Sequence, residues 1–125
     1  MGAQLLTPHF AVAEFAEHTG AAAPAGYLHW AKRLCEDYLE PLRAVYGPVT
    51  IVSGWRSTTY NQSVGGAPQS YHRRIEGRRG SAVDLKCHTG QPRDWYRHLD
   101  RAGAPGLGLY PTWVHVDNRS ARARW

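Results

Sequence analysis

Apolar residues repeat with the period of a helix in two long stretches of the chain. Between residues 27 and 46 they recur at three- and four-residue intervals, which predicts a helix facing the core. Pro41 is expected to kink its last turns or to split them off. A second helix is predicted over residues 92–102. Residues 7–18 are expected to form a short helix with Pro8 in its first turn.

Runs of β-branched and alternating residues predict strands in the rest of the chain. These runs cover residues 49–52, 82–86, 107–110 and 113–117. The polar stretch 55–70 is expected to be a loop or a short helix over a site. Helices followed by a mainly antiparallel sheet predict one α+β domain over residues 1–125, with N-terminal helices packed on a small sheet. The basic tail, 119–125, is expected to be frayed.

Composition narrows the class of protein. The chain has 125 residues, of which 42% are hydrophobic, and this excludes a disordered polypeptide. No apolar run approaches the roughly 18 residues that a membrane span needs, so no membrane span is expected. The N-terminus lacks the basic and apolar regions of a signal peptide, so synthesis in the cytoplasm is expected. Two cysteines are too few for a disulfide framework or a cysteine-based zinc site, which directs attention to the seven histidines.

Three polar residues stand out against the apolar pattern. Asp84 lies within one predicted strand, His115 lies within another, and His72 follows the polar loop. A carboxylate in a buried strand is costly unless it is paired or binds a metal. Two histidines and one carboxylate form the ligand set of a catalytic zinc site, in which the metal lowers the pKa of its water to about 7. The alternatives are an ordinary core histidine and an Asp84 that pairs with Arg56 or Lys86.

Ordered motifs give the chain a resemblance to a known family. Ser70-Tyr71-His72, followed by Gly80 to Asp84, resembles the Ser-x-His-x-x-Gly-x-Ala-x-Asp motif of zinc D-Ala-D-Ala carboxypeptidases and related murein peptidases. Residues 53–57 are similar to the family segment that precedes the first ligand, and 113–117 to its closing strand. The resemblance covers roughly residues 7–118 and implies a Hedgehog/DD-peptidase-like fold.

The resemblance implies roles for the matching residues. His72, Asp84 and His115 would hold one zinc ion. Arg56 would lie in the cleft, as a catalytic and substrate-binding residue that binds a substrate carboxylate or stabilises the developing oxyanion. Ser70 would belong to the substrate-binding segment, where it orients the loop and does not act as a nucleophile.

The chain departs from the family motif after the first ligand. Seven residues, 73–79, stand where the family usually has two, and they include four arginines and Glu76. We expect this insertion to bulge out as a basic lip, which either gathers an anionic polymer or a peptide carboxylate, or is a solvated loop. If the insertion displaced His72, the site would fail, and His88 is the only obvious substitute.

The general acid/base is missing from its usual place. Many relatives carry an acid three residues before the last histidine or a histidine two before it, but here these positions hold Thr112 and Trp113. Asp117, two residues after His115 on the same strand face, is the predicted catalytic proton carrier. The alternative is that Asp117 orients His115. Glu76 is a more distant candidate.

Together these features predict a monomeric zinc metallopeptidase that hydrolyses peptidoglycan stem peptides, as a carboxypeptidase or an endopeptidase. It would reach the cell wall by phage-type release or as a virion component. The alternative is a catalytically weak or inactive binding module of the same fold, which the missing acid at position 112 favours. A nucleic-acid binder is a third reading of the +5 charge, but no motif of a known module supports it, and no specific nucleic acid is expected.

Overall fold

A five-stranded sheet lies at the centre of the protein. The computed structural model describes residues 4–125. The strands of the sheet are β3 (Val49–Ser53), β4 (Ala82–Cys87), β5 (Gly106–Leu109), β6 (Val114–Asp117) and β7 (Ala123–Arg124). Their spatial order is β3-β4-β6-β5-β7, and every pair of neighbours is antiparallel except β5 and β7. The α+β fold predicted from the sequence is therefore confirmed.

The predicted helix 27–46 forms, with a widened turn in its middle. Its parts are α1 (Ala25–Leu34), a π-helical turn (Cys35–Leu39) and α2 (Glu40–Tyr46). Pro41 has no N–H to continue the ordinary ladder, and the preceding Glu40 N–H bonds instead to the Cys35 carbonyl, five residues back. The proline is accommodated by this turn and does not split the helix. The remaining helices are α3 (Thr58–Ser63) and α4 (Pro92–Arg101).

The helix predicted over residues 7–18 is wrong. Strands β1 (Leu5–Thr7) and β2 (Phe10–Ala11) form a small antiparallel hairpin there, followed by the 3₁₀ turn Val12–Phe15. Pro8 has the backbone geometry that the second position of a tight turn requires, and it serves the hairpin instead of starting a helix.

The two faces of the central sheet have different tasks. On one face, alternate residues of β4, β5 and β6 are apolar and fully buried: Val83, Leu85, Leu107, Val114 and Val116. They pack in one core with side chains of the helices, including Leu34, Leu39, Leu42 and Leu99. The opposite face carries Asp84, His115 and Asp117, as strand alternation predicts.

The prediction of a frayed tail is also wrong. β7 adds to the edge of β5, the Trp125 N–H bonds to the Leu107 carbonyl, and the Leu109 N–H bonds to the Trp125 carbonyl. The guanidinium of Arg124 contacts Asp100 at 2.9 Å. An open strand edge has unpaired backbone groups, and the tail satisfies them here. Within residues 4–125, no helix has the length and apolar character needed to cross a membrane.

Candidate metal centre and cleft

The sheet places two of the predicted ligands side by side. Asp84 on β4 and His115 on β6 are direct partners in the register of these antiparallel strands. Their side chains leave the sheet on the same face, and the Asp84 Oδ1 lies 3.2 Å from the His115 Nδ1. The geometry of the strand pair therefore fixes this half of the site.

The third ligand, His72, reaches the site from a loop. Its ring Nδ1 lies 2.8 Å from the Gly54 carbonyl, to which it donates, so the Nε2 lone pair faces Asp84 Oδ1 at 3.2 Å. Its backbone carbonyl accepts the Arg56 N–H at 2.8 Å. The Ser70 hydroxyl accepts the His72 N–H at 3.2 Å, so Ser70 contacts the loop backbone at the ligand.

The three side chains together suit a zinc ion. One ligand atom from each lies within 4.8 Å of the others. All three residues are buried, with exposed fractions of 3% for His72, 8% for Asp84 and 6% for His115. Two imidazole nitrogens and one carboxylate oxygen are the donors that zinc prefers at a three-ligand catalytic site. The insertion does not displace His72, and His88 is exposed and outside the group.

Burial and neighbouring groups shift the pKa of each of the three ligands. Burial alone would raise the pKa of Asp84, but the ring nitrogens of His115 and His72, which donate to its carboxylate when the rings are protonated, hold that pKa well below its usual range. Burial lowers the pKa of His72. Burial acts in the same direction on His115, but its bonds to Asp117 and Asp84 raise the pKa overall. The carboxylate is thus kept ionised, as a metal ligand must be.

Asp117 lies on the far side of His115 from the other ligands. The Asp117 Oδ2 lies 2.7 Å from the His115 Nε2, whereas the Nδ1 of the same ring faces Asp84. Asp117 is fully buried, and Arg119 contacts both of its oxygens, at 2.8 and 2.6 Å. This arrangement orients the imidazole and favours the alternative role for Asp117 over that of a proton carrier facing the substrate.

An open cavity of about 630 Å³ lies above the three ligands. Arg56 lines it, with its Nη2 3.7 Å from the Asp84 Oδ2 and its Nε 3.3 Å from the Ser53 hydroxyl. Ser70 lines it as well. Among the side chains of residues 4–125 that line this cleft, Asp84 is the only carboxylate, and Glu76 is exposed elsewhere.

Aromatic rings form one wall of the cleft. Tyr110 and Trp113 stack with their ring centroids 4.8 Å apart and their planes 8° apart. Trp125 lies 4.8 Å from the His115 ring and donates its indole N–H to the Tyr110 hydroxyl at 2.9 Å. Sequence reasoning missed Trp125, because nothing in a basic tail indicates that the chain returns to the sheet beside a metal ligand.

Two glycines on β5 make room for this arrangement. Gly106 is the register partner of Asp117, and Gly108 is the partner of His115. A Cβ on Gly106 would lie 2.0 Å from an Asp117 oxygen, and one on Gly108 would lie 2.4 Å from the Trp125 indole nitrogen. Any larger residue at either position must displace the side chains that surround His115.

The insertion 73–79 folds back on the site and does not bulge out. Its arginines donate to backbone carbonyls: Arg74 to Arg78 at 2.7 Å, and Arg78 to Gln69 at 2.7 Å. Arg78 also lies over the ring of Tyr71, the neighbour of His72, at 3.7 Å. A guanidinium can satisfy several carbonyls at once, so the arginines hold together a segment that has no regular secondary structure.

Comparison with known families agrees with this geometry. The family model described as Peptidase M15 matches residues 8–117, which include all three ligands and nearly the whole described chain. The chain belongs to the peptidase M15 family. This M15 chain therefore has the zinc metallopeptidase scaffold that the motifs predicted, and the resemblance to zinc D-Ala-D-Ala carboxypeptidases is confirmed. No curated protein matches the chain.

Proposed function

We propose that this M15 protein hydrolyses peptidoglycan stem peptides, as a D-Ala-D-Ala carboxypeptidase or a murein endopeptidase. The observation that carries the proposal is the buried group His72, Asp84 and His115 at the floor of an open cleft, with Arg56 beside it. Stem peptides are short, extended and acidic, and they suit an open cleft with a guanidinium on its wall. We further propose that the protein acts on the cell wall as a monomer after phage-type release.

The chemistry divides between the metal and the chain. Zinc, when bound, would lower the pKa of its water to about 7, so that hydroxide becomes available to attack an amide near neutral pH. Arg56 lies in the cleft with its Nη2 3.7 Å from the Asp84 Oδ2, and it would hold a substrate carboxylate or stabilise the charge that develops on the carbonyl oxygen. Asp117 would keep His115 in the tautomer whose Nδ1 lone pair faces the ligand group.

Hydrolysis of matched peptides tests the proposal. Zinc-loaded protein should release D-Ala from stem peptides or cleave their internal amides. His72→Ala and His115→Ala should lower the rate by at least about 1,000-fold, since each removes a metal ligand. His88→Ala is the matched control, because His88 is exposed and outside the ligand group. It should leave the rate unchanged.

A second candidate function is a zinc-containing module that binds cell wall or protein without turnover. The observation in its favour is that Asp84, itself a ligand, is the only carboxylate lining the described cleft. The proton transfers of amide hydrolysis usually need a further acid or base within reach. Stoichiometric zinc, tight binding of murein fragments and no cleavage of any of them would contradict the peptidase proposal and support this module.

A further inference from the structure

A second cavity adjoins the metal cleft on the other side of Arg56. Its volume is about 320 Å³, and Arg56 lines both cavities. Two arginines of the insertion, Arg73 and Arg74, complete its basic lining, and Ser57 and Thr58 add hydroxyl groups. Neither His72 nor Asp84 lines it, so it is distinct from the metal site.

The charges of the two insertion arginines are not neutralised within the described chain. Arg73 donates to the Pro68 carbonyl and, at 3.1 Å, to the Thr58 hydroxyl. Arg74 donates to the Arg78 carbonyl at 2.7 Å. These acceptors are neutral, and no ion pair within residues 4–125 includes either side chain. The carboxylate of Glu17 instead accepts from Ser57 and Thr19.

Not every N–H group of Arg73 and Arg74 has a hydrogen-bond acceptor. The Nε atoms of Arg73 and Arg74 are buried without a hydrogen-bond partner. Burial lowers the pKa of Arg78; Tyr71 acts in the opposite direction, but repulsion from neighbouring arginines, which include Arg73 and Arg74, adds to the lowering. The Arg73 and Arg74 side chains are half-buried, and a buried Nε–H without an acceptor is costly. An anion in the cavity would supply an acceptor and a counter-charge.

We propose that this cavity is a subsite for a carboxylate of the peptide substrate, separate from the amide that is cleaved. The inference rests on the proposed peptidase function and adds a determinant of specificity to it. Arg73 follows the ligand His72 directly in the chain, and Arg56 separates the two cavities. A peptide held at the metal could therefore extend an acidic side chain past Arg56 into this subsite.

The dimensions favour a peptide carboxylate over a phosphate polymer. About 320 Å³ is at the small end of ligand sites and suits one side chain with its backbone, not several repeats of a polyanion. The planar forks of guanidinium groups match the geometry of a carboxylate, which two or three of them can share. The insertion would then give this chain a preference for acidic peptides.

Binding of two isosteric peptides tests the subsite without relying on hydrolysis. One is a short capped peptide with a central D-glutamate, and the other has D-glutamine in its place. Zinc-loaded protein should bind the D-glutamate peptide at least about 10-fold more tightly by calorimetry, since a charge-assisted hydrogen bond is lost with D-glutamine. The arginine Nε–H signals of Arg73 and Arg74 should shift in nuclear magnetic resonance spectra.

Matched variants test whether the preference for the D-glutamate peptide depends on Arg74. Arg74→Gln should reduce the preference for D-glutamate to about 3-fold or less, whereas Arg74→Lys should retain part of it. Arg97→Gln is the control, because Arg97 is exposed on α4 and lines neither cavity, and it should keep the full preference. Zinc content and thermal melting of each variant show that its fold is intact.

The outcomes separate this inference from the proposed function. Equal affinities of the wild-type protein for the two peptides would overturn the subsite even if hydrolysis is observed. A preference for D-glutamate without any cleavage would support the subsite while contradicting the peptidase. Tighter binding of glycerol phosphate oligomers than of the D-glutamate peptide, with no preference between the peptides, would overturn the carboxylate assignment in favour of a phosphate polymer.

Discussion

The two halves of the metal centre are held in place by different means. Asp84 and His115 stand on paired strands that have neighbours on both sides, so the backbone ladder fixes their separation. His72 belongs to the long connection 54–81, whose only regular element is the short helix α3. Its position depends on a few hydrogen bonds, in which His72 donates to the Gly54 carbonyl and the Ser70 hydroxyl and accepts from the Arg56 N–H.

This contrast identifies what the metal does for the fold. The sheet half needs no ion to keep its geometry, because its register and apolar face are set by the core. The loop half would be linked to the sheet by coordination bonds only when one ion binds His72 together with the other two ligands. We therefore expect bound zinc to anchor the connection 54–81 to the sheet in addition to its chemical role.

Removal of zinc should have the largest effect, and it should speed hydrogen exchange much more in the loop half than in the sheet half. At saturating metal a tight site adds about 4 kcal/mol of stability, which corresponds to about 1,000-fold in the equilibrium for opening. After chelation, the Arg56 and Ala82 amides, which bond to the His72 and Tyr71 carbonyls, should exchange up to about 1,000-fold faster. Amides between β4 and β6 should change only a few-fold. Hydrogen exchange measured with and without chelator checks this.

Equal loss of protection in both halves would contradict this difference between them. If the amides that bond between β4 and β6 lost protection as much as the Arg56 and Ala82 amides did, the sheet half would depend on the metal too. Addition of zinc back to the chelated protein is the control, and it should restore the slow exchange of the loop.

Asp117→Asn should have the next largest effect, and it should fall on the sheet half. The substitution keeps the shape of the side chain but leaves Arg119 without its buried counter-charge, which is expected to cost about 3 kcal/mol of unfolding free energy. Loss of the carboxylate behind His115 should weaken zinc binding by about 10- to 100-fold. Denaturant unfolding and competition with a metal indicator measure the two effects.

Asp100→Asn provides the comparison for that variant. Asp100 also pairs with arginines, Arg122 and Arg124, but it is half exposed and remote from the ligands. Its loss should change the free energy of unfolding very little, because exposed ion pairs contribute little to stability, and it should leave zinc affinity unchanged. Similar zinc affinities for Asp117→Asn and the wild type would show that Asp117 does not position His115.

Trp125→Ala should cost about 2 kcal/mol, because the ring loses its contact with His115 and its bond to Tyr110. The indole is 45% exposed, which limits the loss. Zinc affinity should fall a few-fold. Trp125→Phe retains a ring against His115 without the indole N–H, and it should recover zinc affinity more fully than stability. No change in either property for Trp125→Ala would show that the sheet alone holds His115.

Glu17→Gln should have a smaller effect than Trp125→Ala, about 1 kcal/mol, and should act on the loop half. Burial would raise the pKa of Glu17, but hydrogen bonds from Ser57 and Thr19 lower it below its usual value. A lowered pKa means that the ionised form stabilises the fold above the unfolded pKa of about 4.3, and that this contribution disappears as pH falls through the folded pKa. The stability difference between wild type and variant, measured from pH 7 to pH 3, should therefore shrink. A constant difference would contradict this.

Sequence reasoning reached the sheet half of the site more completely than the loop half. Alternation along two short strands is enough to place Asp84 and His115 on one face, because the side-chain period of a strand is fixed. The motif brought His72 to the same site. The direction in which a ring nitrogen points does not follow from the strand period, so only the distances around His115 favour one of the two roles proposed for Asp117.

The errors fall where long-range packing decides the local structure. Residues 7–18 have a helical pattern, but Phe10 and Phe15 enter the core from a hairpin and a 3₁₀ turn instead. The tail pairs with β5 because that edge is open, which no local pattern reveals. The arginines of the insertion look like a solvated charge run, yet Arg74 and Arg78 each donate to a nearby backbone carbonyl.

The two glycines of β5 carry a lesson for anyone who transfers such a site to another scaffold. A design that copies the three ligands, Asp117 and Trp125 onto a hairpin would still fail if the neighbouring strand had ordinary side chains, because the space at Gly106 and Gly108 is already occupied. The site therefore requires glycine at positions 106 and 108 as well as its histidine ligands. Annotation by reactive residue types alone overlooks this part of the site.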